Sequence, residues 1–425
     1  MLRSLFEEEI PRVFVPREDG PRIGFRLWDG TLWPSGVNLD VTIVLTHPGS
    51  LRKMLLWAND VRLGEAFLRR DFDVEGSLEP IFVLADRLAQ KLIRPSVRLR
   101  LALLLLGLPR DENPETTPIS RPRLMGMQHS LQRDREAIAY HYDVSNEFFS
   151  LWLDSQMVYS CAYFQRGTES LDEAQRQKLD YVCRKLRLRP GQRFLDIGCG
   201  WGSLVLHAAA NYGVEALGIT LSSQQQLWAQ EEIRKRGLER VCRVELCDYR
   251  ELKGEAQWDA IASVGMVEHV GAQLLPTYFA CAYRLLKRGG VFLNHGIAVG
   301  VHDIPQKGPG FVDTYIFPDG ELSPLPTTLQ AAEKAGFEIR DVESLREHYM
   351  RTMRLWLERM EAKRAEAIRY VGETNYRKWR LFMSGSAYAF SQGKLNLYQT
   401  LLYKGSGGPS SLPLTREDWY RSAPN

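Results

Sequence analysis

The chain predicts an α/β protein: a Rossmann-like, doubly wound domain with a helical cap, preceded by a smaller mixed α+β domain. Three observations carry this expectation. From residue 137 onward, apolar strand-like runs alternate with segments of helical spacing, the pattern of a parallel sheet with crossover helices. One of these strands, "RFLDIGCG" (193–200), runs into a glycine-rich turn and then a helix. The proline- and charge-rich stretch "LPRDENPETTPISRPR" (Leu108–Arg123) cannot sustain a helix and separates this pattern from what precedes it. The expected division is an N-terminal accessory domain with linker over 1–125 and a catalytic domain over 126–425.

In the first part, "PRIGFRLWDGTLWPSG" alternates around Asp29-Gly30, a hairpin signal. "VNLDVTIVLTHPGS" follows as a strand ending at Pro48-Gly49, and "SLRKMLLWAND", "RLGEAFLRRDF" and "SLEPIFVLADRLAQKLI" have helical spacing. "KLIRPSVRLRLALLLLGLPR" joins Lys91, Arg94, Arg98 and Arg100 to a leucine run. It reads first as a core helix with basic ends and second as a helix lying on a membrane surface.

In the second part, "VEALGITLS", "RVELCDY", "WDAIASVGM" and "VFLNHGIAV" are the further strands. "SLVLHAAANYG", "SQQQLWAQEEIRKRG" and "QLLPTYFACAYRLLKRGG" are the helices between them, the last with a glycine stop. The segment from Glu347 to Lys404 reads as mostly helical, and "GSGGPSSLPLTREDWYRSAPN" reads as partly disordered.

Composition bounds the class. Of 425 residues 44% are hydrophobic and 25% charged, as in ordinary globular proteins. The net charge of +3 does not by itself imply nucleic acid, and it suits contact with an anionic surface. Six cysteines without a C-x-x-C pair argue against a disulfide framework and for a reduced, cytoplasmic setting. The start "MLRSLFEEEIPRVF" lacks the apolar core of a signal peptide, and the longest apolar run, Leu101 to Leu108, is too short to span a bilayer. No metal-ligand spacing is evident.

The turn "LDIGCGWGS" places Gly198, Gly200 and Gly202 after a strand, with Asp196 two residues before the first glycine. A glycine turn alone is weak evidence, since nucleotide and flavin proteins use similar ones. D-x-G-x-G-x-G in a strand–turn–helix context is typical of S-adenosylmethionine-dependent methyltransferases. A cofactor there lies across the carboxyl ends of the strands. That edge selects Thr220 and Gln225 after the second strand, Asp248 and Tyr249 after the third, Glu268 after the fourth, and His295 in the fifth. Glu268 directly follows an apolar run, where an ionised carboxylate is costly unless something pairs with it.

Several stretches together resemble one family. "YHYDVSNEFF" (140–149), "MVYSCAYF" (157–164), "LDIGCGWG", "GITLSSQQ" (218–225), "SVGMVEHVG" (263–271), "NHGI" (294–297) and "YIFPDGELS" (315–323) are similar to the cyclopropane-fatty-acyl-phospholipid synthases and the related mycolic acid methyltransferases. The resemblance covers about residues 137–400. It implies methyl transfer from S-adenosylmethionine to a cis double bond of a phospholipid acyl chain. A carbocation then loses a proton to a bound bicarbonate ion, and a cyclopropane ring closes. The ion's ligands map to Cys161, Glu268, His295, Tyr349 and the backbone of Ile297. The cofactor residues map to Tyr159, Ser160, Asp196, Gly198, Gly200, Thr220, Leu221, Gln225, Asp248 and Tyr249. Tyr142, Phe148, Tyr315 and Phe317 are candidates for stabilising the cation, and His269 for a supporting role. Around Tyr349 the family pattern H-Y-x-x-T-L-x-x-W becomes "HYMRTMRLW", with Met353 in the leucine place.

The resemblance further implies unsaturated phospholipids at the inner face of the membrane as partners, with no nucleic acid. The smaller domain is expected to orient the catalytic domain or to support a homodimer. Three alternatives stay open at this point: a fatty-acyl methyltransferase leaving a methylene- or methyl-branched chain, a non-catalytic lipid-binding protein, and a methyltransferase of small soluble molecules.

Overall fold

The computed structural model describes residues 21–420, except 57–58, 93–94, 111–118, 120, 123, 143, 304–308 and 406. The segment "MLRSLFEEEIPRVF", Arg94 and most of the expected linker lie outside the described residues. The chain divides into two compact units. The first comprises Met1–Pro122, Pro309–Ile316 and Arg364–Tyr388, and the second comprises Arg123–Gly308, Phe317–Lys363 and Ala389–Asn425. The cut falls beside the boundary expected at 125, but 309–316 and 364–388, expected in the catalytic domain, pack in the first unit.

In the first unit, β1 (Ile23–Arg26), β2 (Leu32–Trp33), β3 (Val41–Leu45) and β4 (Phe72–Glu75) form a sheet in the order β2-β1-β3-β4. The Asp29-Gly30 hairpin joins β1 and β2, with the Leu27 N–H donating to the Thr31 carbonyl at 2.8 Å. Alternation along β3 buries Val41, Ile43 and Leu45 on one face, where they meet Phe25, Phe67 and Phe72. Helices α1 (Ser50–Leu55), α2 (Asp60–Leu68), α3 (Glu79–Leu92) and α4 (Pro95–Leu106) complete this part. The Asn59 side chain caps α2 by accepting from the Arg62 N–H at 2.8 Å. "RLGEAFLRRDF" is helical only to Leu68: the chain turns at Arg70 (φ 62°) and re-enters the sheet as β4, which the helical spacing concealed.

Arg377 explains why the later segment 364–388 belongs here. Its buried guanidinium donates to the carbonyls of Phe67 (2.8 Å) and Phe72 (2.9 Å) and pairs with Asp73 (2.9 Å). Glu65 likewise holds Tyr315 and Arg121. On α4 the leucine run is divided between a buried and an exposed face. Leu105 is buried in the core, whereas Leu99, Leu103 and Leu106 are 64%, 63% and 51% exposed. Among the described residues, no helix is long and apolar enough to cross a membrane.

The second unit begins with α5 (Leu131–Tyr142), α6 (Asn146–Ser150) and α7 (Leu171–Lys185). The alternating segment then supplies β5 (Arg193–Ile197), α8 (Ser203–Tyr212), β6 (Glu215–Thr220), α9 (Ser223–Lys235), β7 (Cys242–Leu246), β8 (Trp258–Val264), α10 (Leu275–Leu285) and β9 (Leu286–Val299). It closes with α11 (Leu325–Lys334), β10 (Glu338–Ser344), α12 (Arg346–Ala362), β11 (Leu395–Tyr403) and α13 (Glu417–Tyr420). The sheet order is β10-β11-β9-β8-β5-β6-β7. Strands β5 to β9 are mutually parallel where they pair, and β11 runs antiparallel between β9 and β10.

Three expectations are corrected here. Residues 347–404 are mostly helical as expected, but 395–403 form a strand, next to the sheet edge: "LNLYQTLLY" carries the β-branched and aromatic residues that suit a pleated sheet. Helix α10 stops at Leu285, because Leu286 is already extended (ψ 137°), so "LKRGG" opens β9 rather than ending the helix. The segment 407–420, expected to be partly disordered, ends in a buried Trp419, whose ring lies under the Lys185 ammonium at 5.1 Å and the Arg187 guanidinium at 5.4 Å. The composition of that segment concealed its anchoring aromatics, Trp419 and, beside Tyr181, Tyr420.

Candidate active site

The site is built at the carboxyl ends of β5, β6, β7 and β8, where a doubly wound sheet binds ligands. After β5 the chain must reverse within a few residues to start α8. Gly198 (φ 81°) and Gly202 (φ 83°) adopt left-handed backbone there, and a Cβ on either would lie 2.9 Å from Met266 or from the Ala229 Cβ. Asp196, Gly198 and Gly200 therefore line a cavity directly beyond the strand. Thr220, Leu221 and Gln225 line it from β6 and the start of α9, with the Thr220 hydroxyl donating to Gln225 Oε1 at 2.7 Å. Asp248 and Tyr249 line it after β7. Arg250 binds both Asp248 carboxylate oxygens, at 2.8 and 2.7 Å.

Tyr159 and Ser160 close the cavity from an extended loop. Gln175 on α7 pins that loop, its amide donating to the Ser160 carbonyl at 2.8 Å. All ten residues expected at the cofactor thus border one cavity. Lys178, which the sequence reading did not select, borders it too and donates to the Ser160 hydroxyl at 3.0 Å. Burial brings the Lys178 pKa down to about 8, opposed by Asp154 and other neighbours. Asp196 goes the other way: burial raises its carboxyl to about 7, and Lys178 pulls it down only in part. Asp196 Oδ1 is buried and finds no partner among the described residues. A glycine cradle, a buried acceptor and a nearby ammonium fit S-adenosylmethionine, whose charged amino-acid group such residues would hold.

The five residues expected at the chemistry do not border this cavity. Their chain neighbours Ser160 and His269 do. Glu268 sits in a single 3₁₀ turn after β8 (Val267–His269). Its Oε1 accepts the Ile297 N–H at 2.7 Å, while Oε2 is buried with no partner among the described residues. Burial raises its pKa to about 7, opposed by the Ile297 N–H. The backbone of Ile297, expected to hold an ion itself, is thus engaged by Glu268 and acts on the site through it.

Tyr349, on α12, is an electrostatic neighbour of Cys161, Glu268 and Tyr142, and burial pushes its phenol far up. The Cys161 thiol is also pushed up by burial, so it stays protonated, and it donates to the Ala162 carbonyl at 3.2 Å. His295 contacts Gln399 across the β9–β11 pair, through Nδ1 at 3.1 Å. Its Nε2 is buried and finds no partner among the described residues. Burial, reinforced by Lys178 and Lys185, lowers its pKa to about 3 and keeps the ring neutral.

The aromatic candidates divide. Tyr142 borders the cavity and neighbours Glu268, and Phe317 packs on His269 at 5.6 Å. Phe148 packs against Phe149 and Trp152 at about 6 Å in the core beneath. Tyr315 belongs to the first unit, where Glu65 and Arg121 take its hydroxyl. Tyr159, Trp201 and Trp356 instead continue the aromatic wall, with Tyr159 and Trp356 5.1 Å apart. The sequence offered a signal for Trp201 inside "GCGWG". Tyr159 was expected at the cofactor and Trp356 ends the motif around Tyr349, and packing gives both their place in the wall. Burial, with a contribution from His129, brings the His269 pKa down to about 4, so it too is neutral.

Fold and cavity together define an S-adenosylmethionine-dependent methyltransferase. Residues 129–400 match the family described as Mycolic acid cyclopropane synthetase, and the chain belongs to that family. It is 39% identical over 400 residues to a probable fatty acid methyltransferase of Pseudomonas putida, covering 93% of this chain and 95% of that one. Among solved structures it is similar to the cyclopropane synthase MmaA2 from Mycobacterium tuberculosis, at 34% identity and a TM-score of 0.60, over 63% of this chain and 97% of that one. The mycolic acid cyclopropane synthase CmaA1, solved in complex with SAH and CTAB, is similar at 35% identity and a TM-score of 0.60, over 63% of this chain and 97% of that one.

Proposed function

We propose that the enzyme methylates a cis double bond in an unsaturated phospholipid acyl chain and closes a cyclopropane ring. The observation that carries this reading is the pair of buried polar atoms, Glu268 Oε2 and His295 Nε2, that find no partner among the described residues. Such atoms call for a polar ligand, here a small hydrogen-bonding anion that we take to be bicarbonate.

S-adenosylmethionine, when bound, would supply a methyl group on a sulfonium centre, whose sulfur takes the bonding pair and is left as a neutral thioether. Bicarbonate, where bound, supplies the base that removes a proton from the new methyl group. The remaining work falls to the chain. Glu268, its Oε1 fixed by the Ile297 N–H, presents Oε2 to accept a proton. His295 and Tyr349 donate hydrogen bonds that hold negative charge beside a carboxylate. The protonated Cys161 thiol adds no charge and closes the wall. Tyr142, Tyr159 and Trp356 exclude water, and their faces favour a cation without offering it a nucleophile.

The relatives named cyclopropane synthases support ring closure, and the Pseudomonas putida relative supports a fatty-acyl substrate. That same relative, which matches most of both units, favours a second reading: a fatty-acyl methyltransferase that ends in a branched chain. For contact with the bilayer, the exposed Leu99, Leu103 and Leu106 of α4, with Arg98 and Arg100 exposed beside them, support peripheral docking at an anionic cytoplasmic face.

The test is the product. The protein is incubated with S-adenosylmethionine and vesicles of a cis-monounsaturated phospholipid, and the acyl chains are read by proton NMR. Upfield ring protons are the expected result. Vinylidene protons would replace ring closure by the branched-chain reading, and unmodified chains with cofactor bound would remove the lipid substrate.

A further inference from the structure

Behind His295 runs a chain of buried polar contacts that none of the motifs singled out. The Lys185 ammonium, on the last turn of α7, pairs with Glu343 of β10 and donates to Gln399 Oε1 at 2.9 Å. Gln399 Nε2 meets His295 Nδ1 at 3.1 Å. Lys185, Gln399 and His295 are each about 1% exposed. We infer that Lys185 and Gln399 are positioning residues that hold the His295 proton on Nε2, making this imidazole a fixed hydrogen-bond donor through that atom.

The argument is one of donors and acceptors. An ammonium has three donors and no acceptor, so the Gln399 oxygen must face Lys185. The Gln399 amide nitrogen then faces His295, and it can only donate. Nδ1 of the ring must therefore accept. A neutral imidazole carries one proton, and it is left on Nε2. The opposite tautomer would require the amide to flip, setting its NH₂ against the ammonium.

The parts of this device are rigid. Gln399 stands directly opposite His295 in the β9–β11 register, so sheet pairing and not a loop sets their separation. The ammonium lies over the rings of Tyr181 at 4.6 Å and Trp419 at 5.1 Å. These contacts, together with Glu343, compensate the burial of its charge. The result is a donor aimed through Nε2, the atom that finds no partner among the described residues. Only the kinetic consequence rests on the proposed function; the tautomer can be tested apart from it.

The test is two-bond ¹H–¹⁵N correlation NMR of the full chain labelled with ¹⁵N-histidine, with His295 assigned by its loss in His295→Asn. The wild-type protein is expected to show His295 as the Nε2–H tautomer at neutral pH. Gln399→Glu keeps an acceptor toward Lys185 but presents one to the ring as well. It is expected to move the proton to Nδ1 and lower turnover about 100-fold with S-adenosylmethionine affinity kept. An Nδ1–H tautomer in the wild type overturns the inference, and this result does not depend on how Gln399→Glu folds. So does an Nε2–H tautomer that survives in a folded Gln399→Glu. A shifted tautomer with full turnover upholds the positioning device and instead overturns the role of His295 in the proposed function.

Discussion

The two sides of the site are built differently. On the cofactor side, backbone turns at consecutive strand ends do the shaping, and most polar side chains are already paired with one another. Thr220 bonds Gln225, Arg250 bonds Asp248 and Lys178 bonds Ser160. On the acid–histidine side, side chains from distant segments converge, and Glu268 and His295 each keep one buried atom without a partner among the described residues. The first side is a largely paired recess, in which Asp196 Oδ1 and the Tyr249 hydroxyl are the buried atoms left without a partner among the described residues. The second holds unsatisfied polarity, which costs stability and is retained where chemistry needs it.

Breaking the recess should have the broadest effect. Gly202→Val forces a β-branched residue into left-handed backbone and against Ala229. Strain and overpacking together predict a loss of about 2–4 kcal/mol, with cofactor binding abolished. Thermal melts and calorimetric titration read both. A stable variant that still binds S-adenosylmethionine would show that the turn is not the cradle.

His295→Asn should separate the two sides. Turnover should fall roughly 100- to 1000-fold while cofactor affinity stays within about twofold, because only a donor near the developing charge is lost. Equal losses of both would merge the sides into one.

A stability measurement sharpens the contrast further. The folded pKa of Glu268 lies near 7, above the ordinary value of 4.5, so between these pH values the folded state binds the extra proton. Stability from this group is therefore full below pH 4.5 and is lost as pH rises through 7. Asp196 acts in the same direction, from 3.8 to about 7. His295 and His269 act oppositely: their pKa values are depressed to about 3 and 4, so stability is lost as pH falls below 6.5. These terms overlap in the whole protein, and the informative quantity is a difference. Glu268→Gln should match the wild type near pH 4 and become more stable above pH 7, by up to about 3 kcal/mol. Urea unfolding at several pH values checks this, and a flat difference would place the Glu268 carboxylate in a polar, well-paired setting.

The smallest effect is expected at a paired recess residue. Thr220→Val removes two hydrogen bonds, one donated to Gln225 and one accepted from the Ser222 N–H, and should weaken S-adenosylmethionine binding roughly fivefold, about 1 kcal/mol, with turnover at saturation unchanged. A loss of turnover instead would tie Thr220 to the chemical step.

The same contrast governs what was legible in the sequence. The recess is mostly local: Asp196, Gly198 and Gly200 lie within five residues, Thr220, Leu221, Gln225, Asp248 and Tyr249 follow strands, and Tyr159 and Ser160, which follow none, were legible only through the family motif. Glu268 was legible as a carboxylate after an apolar run, but its partner, the Ile297 N–H, belongs to another strand. Gln399 was hidden because no strand was distinguished within the mostly helical segment 347–404, although "LNLYQTLLY" has the residues of a strand. Lys178 and Lys185 carried a signal that went unread. They fall on the buried face of α7 with Leu171, Ala174 and Val182, where a lysine needs a buried partner. The recruitment of 364–388 into the first unit depends on Arg377 meeting carbonyls some 300 positions earlier, which no local pattern encodes.

The most direct test of the division between the two sides is Glu268→Gln, with S-adenosylmethionine affinity by calorimetry and product formation by single turnover on unsaturated phospholipid vesicles measured on one preparation. The account predicts affinity within about twofold of the wild type and product formation slowed at least about 100-fold. Wild-type product formation, or a parallel loss of cofactor binding, would contradict it.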